Sequence, residues 1–170
     1  MKKSFAAILI ALAGVIGSAG EQIDLFQNRE AWTLPASSGW KDDTLRVTVL
    51  PTSHNKRGTN TAQLHLAPEK IRGKYLRFTC ETKGENLNIA ELERPYLGFK
   101  FMLIVKSEKE TSYPGGGRNA ENFDWKKVSF ETPIPEDVTD AKLNLGLQNI
   151  SGTVYFRNVR LEIIDDSDEE

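Results

Sequence analysis

The sequence predicts an all-β fold, an antiparallel β-sandwich. Three observations carry the prediction. Beyond residue 20, apolar residues recur with period two, and no stretch shows the 3.6-residue spacing of an amphipathic helix. The alternating runs are cut by turn residues at Pro51, Gly58, Gly73, Gly84, Pro95 and Gly115-Gly116-Gly117. Residues 123–164 read as three strands in succession, and the middle one alternates strictly. Leu143, Leu145 and Leu147 point one way; Asn144, Gly146 and Gln148 point the other. That pattern predicts a half-buried strand whose open face carries amides.

The chain begins with an address. Lys2 and Lys3 precede an apolar run over 5–16, and Gly17-Ser18-Ala19 supplies small residues for cleavage. This is the layout of a Sec-type signal peptide cut after Ala19. An uncleaved membrane anchor is the alternative, although the run is short for a membrane span. The expectation is a secreted or periplasmic protein with no membrane contact once the leader is removed. No cysteine stands at the start of the mature chain after Ala19, so a lipid anchor on a mature N-terminal cysteine is excluded. The expected organisation is a leader at 1–19, one β domain at 20–164 and an acidic tail, DDSDEE, at 165–170.

Within the domain, the run at 45–50 sets Leu45, Val47 and Val49 on one face, and 61–66 does so with Ala62, Leu64 and Leu66. The run at 75–83 alternates through Leu76, Phe78 and Cys80. The run at 98–106 has Phe99, Phe101, Leu103 and Val105 on one face, with Met102 and Ile104 apolar on the other. That second apolar face predicts a strand covered on both sides. Strands at 125–131, 142–148 and 153–163 complete the set. In the last, Val154 and Phe156 share one parity while Val159, Leu161 and Ile163 share the opposite one. A β-bulge near Arg157-Asn158 would keep both groups in the core.

Composition narrows the function. The 170 residues suffice for one domain with a full core, and 39% hydrophobic content suits a globular chain. A net charge of −2 gives no electrostatic case for nucleic acid. One cysteine, Cys80, permits no intrachain disulfide, and its parity makes it a buried small hydrophobe. His54 and His65 with that cysteine offer no zinc-ligand spacing. No nucleophile elbow, phosphate loop or zincin motif is present. Glu91 with Glu93, and Glu136 with Asp137, read as solvated turn residues, so an enzyme is not expected.

Several motifs then occur in a familiar order. The segment IRGKYLRFTCETKGENL, the stretch FDWKKVSFETPIPEDV and the ending LNLGLQNISGTVYFRNVRLEI resemble carbohydrate-binding modules of the family 4/9 (CenC-like) type. The likeness covers 71–164, with a weaker match upstream through Trp40. Most matched positions are core and turn residues, so the resemblance speaks for fold more than for ligand. It implies a galactose-binding-domain-like jelly roll, two antiparallel sheets face to face, with sugar on the concave face of one sheet or at its rim. One position departs. Where the family's Phe-Asp-Asn-Val motif has an aspartate that helps hold structural calcium, this chain has Arg157. A guanidinium repels a hard dication, so no cofactor is expected there. Glu21 or Asp24 with backbone carbonyls are the donors from which another calcium site could be built.

A sugar site needs flat aromatic faces for C–H surfaces and fixed polar groups for hydroxyls. Trp125 shares parity with Lys127 and Ser129, which predicts partial exposure, whether as a sugar platform or as a structural tryptophan. Tyr113 sits before Pro114 in the long segment SYPGGGRNAEN, which also holds Arg118. Asn144 and Gln148 are the hydroxyl partners of first choice. Trp32, Trp40 and Tyr96 follow, the two tryptophans being either loop platforms or lids over the core. Gln63 and His65 read as a solvent face, and Arg46, Arg77 and Lys127 as surface charges.

The leading expectation is an exported, non-catalytic module that binds a polysaccharide or cell-surface oligosaccharide by aromatic stacking and by amide and guanidinium hydrogen bonds. It would act beside a glycan-degrading enzyme or a surface protein. A secreted structural or adhesion sandwich that binds proteins is the second reading, and a small glycosidase or lyase the third.

Overall fold

The computed structural model describes residues 20, 22–51, 60–88, 97–116 and 121–164. The leader, the acidic tail, Tyr96 and Arg118 lie outside them. Among these residues, eleven strands form two antiparallel sheets. They are β1 (Gln22–Asp24), β2 (Trp32–Thr33), β3 (Gly39–Lys41), β4 (Thr44–Val49), β5 (Thr61–Leu66), β6 (Tyr75–Glu85), β7 (Gly98–Ser107), β8 (Thr111–Ser112), β9 (Phe123–Pro133), β10 (Val138–Gln148) and β11 (Gly152–Ile164). The six-stranded sheet runs β3-β4-β11-β6-β9, with β1 also on β11; the five-stranded sheet runs β2-β5-β10-β7-β8. Among the described residues, helical structure is confined to single turns at Arg29–Ala31 and Pro68–Ile71.

The seven long strands are those that alternation marks: β5 matches at both ends, β4 is shifted by one residue, and the other five run one to four residues longer. The four short ones, β1, β2, β3 and β8, hold two or three residues each, too few for a period to register. Between the sheets lie the inward residues of both: Leu45 and Val47 of β4, Leu76 and Phe78 of β6, Val154 and Phe156 of β11, Leu64 of β5, Leu103 of β7, and Leu143, Leu145 and Leu147 of β10. Each is buried almost completely, and fully burying one such side chain stabilises by about 1.5–3 kcal/mol. Phe99 stacks on Phe156 at 5.7 Å and Phe78 on Phe130 at 5.1 Å.

The Cys80 side chain points inward from β6, and burial first, then the charge of Glu81, pushes its thiol well above the usual range. Thr82, also inward on β6, buries a hydroxyl that has no hydrogen-bond partner.

The predicted bulge is present. The β11–β6 register shifts between Arg157 and Arg160, and Asn158 adopts φ 53°. One inserted residue turns Val159 and Leu161 back into the core. A second expectation needs correction. β10 is not half-buried: from Leu143 to Leu147 every residue is buried, Asn144 and Gly146 included. The strand is central in its sheet, and its outward face is recessed rather than bathed in solvent.

Candidate functional site

The outward face of the five-stranded sheet forms ordered rows, because residues directly opposite in a sheet share a face. One row runs Thr33, Gln63, Asn144, Met102. The next toward one end runs Thr61, Gly146, Lys100, and beyond it Gln148 faces Gly98. In the other direction lie His65, Lys142 and Ile104, then Asp140 and Lys106. The segment after β8 continues this sheet: Leu103 N–H donates to Pro114 O at 3.0 Å, Gly116 N–H donates to Phe101 O at 2.7 Å, and Gly115 bridges Met102. That register sets Tyr113 opposite Ile104, at the end of the His65–Lys142–Ile104 row. Its side chain is 60% exposed.

The recessed centre of the face is polar and fixed. Asn144 is 3% exposed. Its Oδ1 accepts the Thr61 hydroxyl at 3.1 Å, and its Nδ2 donates to Lys142 O at 2.9 Å. Gln63 Nε2 reaches Thr61 Oγ1 at 3.4 Å. Asn144 is therefore a positioning residue that holds its neighbours, and not a group offered to ligand. Lys100, 5% exposed, lies beside Gly146, and burial lowers its pKa. At Gly146 φ is 153°, and a Cβ there would come within 2.5 Å of Asn60 O, so the close approach of β10 to the start of β5 requires glycine. Met102 and Ile104 give the face a partly exposed apolar strip between the amides and Tyr113. Asp140 is engaged by Lys106 and His65, each at 3.5 Å.

The three tryptophans lie elsewhere. Trp32 is 6% exposed, and its Nε1 donates to Leu25 O at 3.0 Å. It packs edge-on against Phe26 at 5.4 Å, and Phe26 meets Trp40 at 4.6 Å. Trp40 is half-buried against the core with the Arg29 guanidinium 5.1 Å above its ring, and Arg29 pairs with Asp43. Of the two roles open to Trp32 and Trp40, the packing matches the lid. Trp32 is corrected as a platform because its ring is enclosed and its one donor is used.

Trp125 is partly exposed, as its parity predicts, but on the outward face of the opposite sheet. Arg157 lies over its ring at 4.1 Å and grips Glu81 through Nε at 2.7 Å and Nη2 at 2.6 Å, while Asn158 Nδ2 donates to the other Glu81 oxygen at 3.0 Å. Arg157 first and Asn158 second hold the Glu81 carboxyl below its usual range. Tyr155 stands 6.4 Å from Trp125 and donates its hydroxyl to Glu85, which Lys83 also binds at 2.9 Å. An open cleft of about 620 Å³ adjoins this network, lined by Lys83, Glu85, Asn86, Asn122 and Asp124. Its polar groups are largely committed to each other, and Asn122 Oδ1 accepts Leu87 N–H at 2.8 Å.

The first-choice residues thus divide. Tyr113, Asn144 and Gln148 share one face; Trp125 is on the other. Gln63, His65, Lys142, Met102 and Ile104 join the first group; a sequence reading gives Gln63 and His65 to solvent, expects Met102 and Ile104 to be covered, where they are in fact partly exposed, and does not single out Lys142. The signal that could have found them is their shared parity on strands that pair directly. Among the described residues, no group of three His, Cys, Asp or Glu side chains is placed to hold a metal ion.

Comparison with solved structures gives the fold its relatives. The xylan-binding CBM22-1 domain from Paenibacillus barcinonensis Xyn10C superposes with a TM-score of 0.52 at 11% identity, over 81% of this chain and 88% of that one. A second xylan-binding domain of carbohydrate-binding module family 22 gives 0.50 at 16%, over 88% and 97%. A family 4 carbohydrate-binding module gives 0.50 at 13%, over 75% and 76%. No family model matches the sequence. No curated protein matches it either. The fold is therefore the sandwich that these modules share, as the sequence motifs led one to expect.

Proposed function

We propose that this protein is a non-catalytic module that binds a polysaccharide or oligosaccharide on the outward face of its five-stranded sheet. The carrying observation is the row that ends in Tyr113. An exposed aromatic ring, an apolar strip of Ile104 and Met102, and amides at Gln63 and Gln148 lie on one recessed, rigid surface. A pyranose offers apolar C–H faces and a rim of hydroxyls, and this surface offers a partner for each. Asn144 and Thr61 keep the floor in place, so little side-chain ordering remains to be done on binding. The shared sandwich fold of solved carbohydrate-binding modules supports the reading.

The role of Trp125 in this reading is structural, since Arg157 covers a face of its ring. No cofactor is invoked in recognition, and Glu81 is paired with Arg157 and Asn158. Export is part of the proposal and rests on the leader, as is a glycan-degrading enzyme or surface protein acting on the same polymer. Calorimetry and pull-down of the mature protein against soluble and insoluble polysaccharides test it. Tyr113→Ala is expected to weaken binding at least tenfold, and Lys127→Ala, on the other sheet, to leave it unchanged. A folded protein that binds no glycan refutes the proposal.

A further inference from the structure

The two sheets differ in their carboxylates: the strands of the six-stranded sheet hold six, those of the five-stranded sheet one. On the six-stranded sheet, Arg77 pairs with Glu131 and Glu162, Arg157 with Glu81, and Lys83 with Glu85. On the five-stranded sheet, the strands contain three lysines, Lys100, Lys106 and Lys142, against one carboxylate, Asp140. That carboxylate is engaged by Lys106 and His65. Lys142 has no ion pair with a described residue. It is half-buried between His65 and Ile104, in the row that leads to Tyr113. Glu108 and Glu110 lie past this surface, on the turn between β7 and β8.

We infer that the preferred ligand is an acidic polysaccharide, one whose sugar carboxylate meets Lys142 while a neighbouring ring stacks on Tyr113. The inference rests on the glycan-binding reading and specifies its substrate class. Three points support it. The Lys142 stem lies along the sheet between His65 and Ile104, so its ammonium is held at the surface beside the apolar strip, where a ligand on this face meets it. A lysine is a point charge suited to a single carboxylate, where a bidentate grip would call for arginine. Lys142 and Tyr113 stand two strand spacings apart, about 10 Å, a span that adjacent sugar units can bridge. The chain's overall charge is −2, so attraction to an acidic polymer must come from this local surface and not from the molecule as a whole.

The test uses polygalacturonate and the same polymer after carboxyl reduction, each titrated into the mature protein at low and at high salt. The acidic polymer is expected to bind at least tenfold more tightly than its neutral form, with the advantage shrinking as salt rises. Lys142→Gln is expected to remove most of that advantage while binding to the reduced polymer and the unfolding temperature stay as they are. Equal binding to both polymers, or an acid preference untouched by Lys142→Gln, overturns the inference and leaves glycan binding standing. Failure to bind either polymer overturns the inference; failure against every other glycan as well overturns the reading beneath it.

Discussion

Replacing Asn144 with alanine should damage stability far more than a polar residue on an outward sheet face normally would. The amide is 3% exposed and makes two hydrogen bonds, accepting from Thr61 at 3.1 Å and donating to Lys142 O at 2.9 Å. Each bond contributes about 1 kcal/mol net, and the alanine also leaves space that the central strand closes poorly. The expected loss is about 2–3 kcal/mol. For a domain of this size about 4 °C of melting temperature corresponds to 1 kcal/mol, so the midpoint should fall by about 8–12 °C. Urea denaturation followed by far-UV circular dichroism, together with calorimetry, measures both. Gln63→Ala is the control: that side chain shares the face, is half-buried and makes one long bond at 3.4 Å, so its loss should stay under about 0.5 kcal/mol. If Asn144→Ala costs no more than Gln63→Ala, the outward face is not recessed, and the argument for a preformed floor fails.

Other substitutions probe the remaining assignments. Tyr113→Ala should leave the melting temperature within about 2 °C, since the ring is 60% exposed, while glycan affinity drops; a large stability loss would show that the ring packs instead. Trp32→Ala should destabilise by about 3–5 kcal/mol, as large aromatics in cores do, with binding by the still-folded fraction intact. Thr82→Val should raise stability by about 1 kcal/mol, because it removes a buried hydroxyl that has no partner; an unchanged midpoint would mean that hydroxyl carries no penalty. The Glu81 carboxyl is held low by Arg157 and Asn158, so its stabilising charge is complete above its unfolded pKa and is lost as pH falls through the lower folded value. Trp125 emission should therefore shift in acid as Arg157 is released, and Glu81→Gln should show the shifted emission already at neutral pH.

The sandwich was legible because its evidence is local. Leu143, Leu145 and Leu147 announce a strand by period alone, and the parity switch between Phe156 and Val159 announces a bulge. The short strands β1, β2, β3 and β8 were not legible, since two or three residues hold no period, and long-range pairing alone makes them strands. The site was only partly legible, for a related reason. Parity puts Trp125 on an outward face but does not say which sheet's face, and that choice depends on its pairing with β6. Asn144 looks like a free amide until Thr61, 83 positions away, is placed beside it. Lys142 reads as an ordinary surface lysine until Asp140, the carboxylate on its own face, proves to be engaged by Lys106 and His65.

Cys80 gives the molecule a built-in clock. A thiol enclosed between the sheets, and held protonated there, reacts with an alkylating reagent only when the sheets part. Where reclosing outpaces the reagent, the labelling rate reports the population of opened molecules. Any compound that binds the closed form alone lowers that population by mass action. Mixtures of plant or microbial cell-wall extract can then be screened by the slowing of one modification, and a ligand recognised by its protection before its chemical structure is known.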